Sequence, residues 1–290
     1  MTHIYELLKR KKRIYKLPPI RQVIEKYGIN AKKSLGQNFI FDLNLTSKIA
    51  RSAGDLTKFE ILEIGPGPGG LTRGLLSEGA SKIVAIEKDK RCILALKEIQ
   101  NHYPGKLRIV EGDASKLKHE KYFSKPVKVV ANLPYNIGTK LLIDWLTIKD
   151  WPPFWHSLTL MFQNEVAERI AAQPGNKSYS RISVLSNWRC KTSIKMKINP
   201  EVFYPHPKVT SAVVQLEALK SPKYLTKLTD LEKVVAKAFS QRRKMLRSSL
   251  KSFTPDLERI LVSLRIDPSA RAENLTIEEF CLLANHLKIS

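Results

Sequence analysis

Asn132, Leu133, Pro134 and Tyr135 stand together at the carboxyl end of an apolar run, Val127-Lys-Val-Val-Ala. In open α/β sheets, ligands bind at that end of the strands. Pro134 has no N–H, fixes its own φ and pushes Leu133 into an extended conformation, so the Leu133 carbonyl takes a set direction. An amide oxygen, an oriented carbonyl and an aromatic ring are the groups that would hold an exocyclic amine on a planar base. The plainer alternative is a strand followed by a Pro-containing turn with an exposed Tyr.

A second motif weighs against the plainer alternative. Phe59 to Ile64 reads as a buried strand, Gly65-Pro-Gly67-Pro-Gly69-Gly70 as a tight turn, and the residues from about Gly69 as a helix. Gly65, Gly67 and Gly70 satisfy the pattern G-x-G-x-x-G, which alone does not separate NAD from another adenosine cofactor. Lys82-Ile-Val-Ala-Ile-Glu87 follows as a second strand. Its terminal carboxylate lies about 20 residues on, where a ribose diol is expected. A third strand, Leu107 to Asp113, ends in a carboxylate suited to an adenine amino group. A dehydrogenase employs Glu87 and leaves Asp113 and the Asn-Leu-Pro-Tyr turn without a task. S-adenosylmethionine with an adenine-type substrate uses all of them.

The elements that must position these residues can be read along the chain. Ile20, Val23, Ile24 and Tyr27 have helical spacing between Pro18-Pro19 and Gly28. A second helix spans Asn44 to Ala53 and brings Gln37-Asn38-Phe39 to the sheet edge. Strands and helices then alternate to Leu216, the pattern of a parallel doubly wound sheet. Ser157–Phe162 is expected as the fifth strand, with Arg181–Trp188 and Ala212–Leu216 as a closing antiparallel hairpin. From Leu219 the pattern is helical only. Thr229/Glu232 and Thr276/Glu279 read as capping boxes, and Thr254-Pro255 as a cap followed by Pro at N1. The expected segments are a basic extension and helix over 1–30, the α/β domain over 31–219 and a helical domain over 220–290.

Composition narrows the partner. A formal net charge of +23 and a pI near 9.9 favour a polyanion over a merely basic surface. No apolar run approaches the roughly 18 residues of a membrane span, and the N-terminus lacks the apolar core of a signal peptide. Cys92, Cys190 and Cys281 are far apart, with neither metal spacing nor a disulfide framework, which fits a reducing compartment. The six histidines are scattered, so neither a metal nor His-based catalysis is expected.

The ordered set of motifs resembles the rRNA adenine N6,N6-dimethyltransferase family (KsgA type). It comprises Lys33-Ser-Leu-Gly-Gln37-Asn38-Phe39-Ile40, Glu63 to Gly70, Gly112-Asp113-Ala114, Asn132 to Tyr135, Phe203-Tyr-Pro205-His-Pro207 through Ser211, and Ala238 through Arg247. Ile40 replaces the more usual Leu, and the basic extension before residue 17 lies outside the family's shared core. The resemblance implies a Rossmann-like class I S-adenosylmethionine-dependent methyltransferase sheet with a small C-terminal all-helical domain. It assigns Gly65 and Gly67 to the methionine end of the cofactor, Glu87 to the ribose and Asp113 to the adenine. Gln37, Asn38 and Ile40 close over the site, and Asn132 is shared between cofactor and substrate. Tyr135 and Phe203 stack on the extruded base.

Also implied is a substrate of two neighbouring adenosines near the 3′ end of small-subunit rRNA in a pre-ribosomal particle. The enzyme is expected to be monomeric, with no membrane partner, and cytoplasmic. A mitochondrial matrix location is the alternative, with the basic N-terminus as a targeting segment. Arg242, Arg243, Lys244 and Arg247 are expected on one helix, contacting RNA phosphates. Two other functions compete. Gly36 and the Phe-x-Pro-x-Pro segment weigh against a large-subunit dimethyltransferase. The intact Asn-Leu-Pro-Tyr turn weighs against a non-catalytic nucleic-acid-binding assembly or transcription factor.

Overall fold

Runs of Ile, Val, Leu and Ala make the central strands apolar on both sides, so they must be covered on both. A computed structural model describes residue 14, residues 16–31 and residues 36–287; the basic run at 9–13 and residues 33–35 lie outside these. The strands are β1 (Phe39–Ile40), β2 (Ile61–Ile64), β3 (Ile83–Glu87), β4 (Leu107–Glu111), β5 (Val127–Ala131), β6 (Trp155–Gln163), β7 (Cys190–Ile198), β8 (Phe203–Tyr204) and β9 (Ser211–Ala218). Every residue of β2, β3 and β5 is buried, as parallel strands covered on both faces require.

The main sheet has the order β4-β3-β2-β5-β6-β9-β7. β2 through β6 are joined by parallel ladders, whereas β9 runs antiparallel to β6, from Ser157↔Glu217 to Gln163↔Ser211. A separate antiparallel pair joins β1 to β8, with Phe39 opposite Tyr204 and Ile40 opposite Phe203. β7 forms one edge and presents Lys191, Lys195 and Lys197 as exposed residues, a common way to discourage further strand addition.

Chain contacts divide the molecule into two units. One holds the described residues up to Leu142 with Pro153–Ala167 and Ser193–Glu217. The other holds Ile143–Pro152, Glu168–Thr192 and the described residues from Ala218 on. The division is therefore not a single cut near Lys220. The helix Arg181–Arg189 belongs to the second unit because Val184 and Trp188 are buried in one cluster with Leu231, Val234 and Phe280.

That helix also corrects the expected strand at Arg181–Trp188. Ile182 and Val184 suggest period two, but Val184 and Leu185 share a helical face with Trp188. The Ser180 N–H donates to Ser183 Oγ at 2.9 Å, an N-terminal cap. The strand lies one segment later, in β7. In the second unit Thr276 and Glu279 cap the helix Ile277–His286 reciprocally, through bonds of 3.2 and 2.7 Å. Two other expected caps fall elsewhere. The helix Leu228–Ser240 starts after Lys227, ahead of Thr229, and Asp256 rather than Thr254 precedes the helix Leu257–Ser263. Among the described residues no helix is long and apolar enough to cross a membrane.

Candidate active site at the carboxyl edge of the sheet

The loops after β2, β3, β4 and β5, together with β1, surround a cleft of about 890 Å³, counting its open mouth. A concave cleft lined by apolar side chains and a few polar groups is the usual form of a small-molecule site. Two glycines let the backbone form its floor. Gly67 has φ +57°, and a Cβ there would lie 2.9 Å from the Phe39 ring. A Cβ on Gly70, the first residue of the helix Gly70–Ser77, would meet the Ile40 carbonyl oxygen at 2.6 Å. Any side chain at either position would force β1 away from the loop.

Glu87 ends β3 and ties two loops together. Its Oε2 accepts from the Gly67 N–H at 3.0 Å, and its Oε1 accepts from the N–H groups of Lys88 and Asp89 at 2.8 and 2.9 Å. Burial raises its pKa, while the three N–H donors oppose that rise. Asp113 follows β4 and caps the short turn Ala114–Lys116, its Oδ1 accepting from the Ser115 N–H and hydroxyl at 3.0 and 2.7 Å. The Ser115 hydroxyl is the main reason its pKa lies below the usual carboxylate value. Lys88 Nζ stands 3.7 Å from the other oxygen.

Asn132 lies one residue past β5, and its Nδ2 donates to the Asn38 carbonyl at 3.0 Å. Only the amide nitrogen can donate to a carbonyl, so this bond fixes which side of the amide carries Oδ1. Tyr135 opens the helix Tyr135–Leu146, and its hydroxyl is 2.6 Å from Ser211 Oγ at the start of β9.

Gln37, Asn38, Ile40, Gly65, Gly67, Glu87, Asp113, Asn132, Leu133, Pro134 and Tyr135 all line this one cleft. Phe203 does not. It is 1% exposed and packs in the main core with Ile40, Met161 and Val213, so as it stands it offers no face to a base. The expected basic helix is also absent. The helix Leu228–Ser240 stops before Arg242, residues 241–244 form a turn, and Arg247 sits in the short helix Leu246–Ser249. Arg242 is engaged by Glu273 at 2.8 Å and by the Lys177 carbonyl, whereas Arg243, Lys244 and Arg247 are exposed.

Sequence reasoning gave no role to three residues of the site. Glu63 in β2 is 1% exposed and lines the cleft; Thr72 Oγ1 donates to its Oε2 at 2.7 Å, and its Oε1 has no partner. Burial, with a smaller contribution from the nearby Glu87, pushes its pKa up to about 8. Asp89 accepts from Gln37 Nε2 at 3.3 Å and caps the helix Lys90–His102, and Arg91 holds its pKa below the ordinary value. Lys88 is the cation facing Asp113. An Asp just before a helical run is a cap signal that could have exposed Asp89. The burial of Glu63 had no sequence signal beyond its place in the strand.

The parallel strands, the antiparallel β9 beside β6, the glycine turn and the carboxyl groups after successive strands define a class I S-adenosylmethionine-dependent methyltransferase. The cleft fits that cofactor on chemical grounds. Glu87 and Asp113 line it in a chain of net charge +23, which suits a ligand positive at its sulfonium and ammonium and rich in hydroxyl and amine donors. The chain belongs to the ribosomal RNA adenine dimethylase family, whose model matches residues 28–288, and it is an rRNA adenine dimethyltransferase using S-adenosylmethionine.

Among its relatives, the ribosomal RNA small subunit methyltransferase A of Ruegeria sp. (strain TM1040) is 57% identical over 94% of this chain and 97% of its own length. The protein of that name from Dinoroseobacter shibae is 56% identical over 93% and 97%. A solved dimethyladenosine transferase from Plasmodium falciparum superposes with a TM-score of 0.70 at 27% identity, covering 84% of this chain and 95% of that one. The 23S rRNA methyltransferase ErmE superposes at 0.68 with 24% identity, covering 87% and 100%, a likeness of fold alone.

Proposed function

We propose that this chain dimethylates N6 of two adjacent adenosines near the 3′ end of small-subunit rRNA. In this reading it acts as a monomer on a pre-ribosomal particle in the cytoplasm. The small-subunit assignment is supported by the names of the relatives that match nearly the whole chain.

The observation that carries the chemistry is the Asn132–Asn38 bond of 3.0 Å. It spends the amide's donor side on the protein and leaves Oδ1 for a substrate amine. Adenine N6 is a poor nucleophile because its lone pair is delocalised into the ring. Acceptance of its N–H bonds by Asn132 Oδ1 and the Leu133 carbonyl would localise that pair on nitrogen. Tyr135 would stack on the base, held by its bond to Ser211. When bound, S-adenosylmethionine supplies a methyl group on a positive sulfur. Asn132, Leu133 and Tyr135 would hold N6 in line with that methyl, and the product amine would release its proton without a dedicated base. Acceleration comes from positioning and a preorganised polar site, so no strong base is required. Glu87 would bind the ribose hydroxyls, Asp113 the cofactor's adenine, and Gly65 and Gly67 the methionine end, with Gln37, Asn38 and Ile40 above. Arg243, Lys244 and Arg247 would meet RNA phosphates.

Mass spectrometry of rRNA from cells with and without the gene tests the reading. Two dimethyladenosines near the 3′ end of the small-subunit RNA should disappear with the gene. Loss from the large-subunit RNA instead would overturn the assignment.

A further inference from the structure

The small sheet β1–β8 has two faces. Ile40 and Phe203 share one and belong to the main core. Phe39 and Tyr204 share the other. There the Phe39 ring packs against Gly67, whereas Tyr204 is 53% exposed. Phe41 follows Phe39 by strand alternation. Its ring centroid lies 5.5 Å from that of Tyr204 at an interplanar angle of 33°, and the Arg21 guanidinium stands over the Phe41 ring, 5.9 Å from its centroid. A cation, a half-buried ring and an exposed ring are thus neighbours, next to Phe39 and Ile40, which line the cleft. Core packing accounts for Phe41, which rests against the cluster of Ile20, Val23 and Ile24. It does not account for Tyr204, whose ring gains little burial there.

The segment carrying Tyr204 is anchored to the active site at both ends. Phe203 pairs with Ile40, a residue of the cleft wall, and Ser211 bonds the Tyr135 hydroxyl. Between these anchors Lys208 and Val209 are exposed. An exposed aromatic beside solvated cations is a common way to bind single-stranded nucleic acid, because every base has a face to stack and a phosphate to neutralise. Extruding an adenosine also unstacks its neighbours and leaves a base in need of a new partner.

We infer that the Phe41–Tyr204 pair, backed by Arg21, is a stacking site for the unpaired RNA base next to the target adenosine. The inference rests on the rRNA reading above and adds a positioning site outside the cofactor cleft.

Tyr204→Ala and Tyr204→Phe should be compared with the wild type on small-subunit particles from cells lacking the modification. The alanine variant should raise KM for particles roughly tenfold, the loss of one stacked base, with kcat and S-adenosylmethionine affinity near wild type. The phenylalanine variant keeps the ring and should match the wild type. An unchanged KM in the alanine variant, or equal impairment of both variants, overturns the stacking site. A second measurement needs no variant. With 2-aminopurine replacing the base next to the target in reconstituted particles, binding of the wild-type enzyme should quench fluorescence, and an unquenched signal overturns the inference. Wild-type enzyme that dimethylates no particle RNA overturns the functional reading itself, a separate result.

Discussion

Charge is handled in opposite ways at the carboxyl edge of the sheet and in the basic turn at residues 241–244. At the sheet edge each acid has at least one fixed partner. Glu87 takes three backbone N–H donors, Asp113 caps a turn, and Glu63 is buried beside Thr72. In the basic turn only Arg242 is engaged, while Arg243 and Lys244 are exposed. A small cofactor must be met by groups already in position, because reorganisation would be taken from binding and catalysis. A polyanion is met by solvated cations that release counterions, and their exact placement matters less. Edge residues should therefore fail sharply and specifically when changed, and basic-turn residues gradually and with salt.

The sharpest test is Asn132→Ala. Turnover should fall by on the order of 10²-fold or more, since in the proposed mechanism the side chain serves developing charge on N6, while calorimetry should show near-normal cofactor binding. Normal turnover would remove the distinction between the two regions at its strongest point. Glu87→Ala should come next, weakening S-adenosylmethionine by roughly 1–3 kcal/mol through lost hydrogen bonds. Binding of NAD at equal strength in the wild type would contradict the cofactor assignment.

Glu63 sharpens the comparison through pH. Its folded pKa of about 8 lies above the ordinary 4.5, so the folded state holds more protons across that window. Stability from this group is present at acid pH and is lost as pH rises through about 8. The slope is at most about 1.4 kcal/mol per pH unit for one proton. Thermal melts of Glu63→Gln without cofactor should be flatter than wild type between pH 5 and 8, roughly the window set by that shift. An identical slope would assign the pH dependence elsewhere.

Smaller effects are expected in the basic turn. Replacing Arg243 and Lys244 by Ala should weaken particle binding and reduce its salt slope by roughly one unit per lost phosphate contact, leaving cofactor affinity alone. Arg242→Ala should behave differently. It removes the partly exposed ion pair with Glu273, so it should cost under about 1 kcal/mol of stability and leave the salt slope nearly unchanged. A larger salt effect from Arg242 than from its neighbours would reverse this division.

The glycine turn, Glu87, Asp113 and the Asn-Leu-Pro-Tyr turn could be read from the chain because each depends on backbone rules acting over a few residues. So could the parallel direction of the strands up to β6, since alternating strands and helices have few other ways to cover their apolar faces. Arg181–Trp188 could not be placed, because its β-branched residues suit a strand and burial beside Leu231 and Phe280 decided for a helix. The basic residues after Ser240 were legible as charge but not as structure; the helix ends before them.

By itself the sequence determined that the glycine turn, Glu87, Asp113 and the Asn-Leu-Pro-Tyr turn meet at the sheet edge, because local geometry dictates where a strand ends, a glycine turns and a proline blocks. The tertiary structure alone decided how those groups are solvated and what faces them. It buried Glu63, turned Phe203 into the core, tied Arg242 to Glu273 and left Tyr204 in the open. Burial and long-range pairing sum contacts from distant segments, and no local pattern encodes that sum.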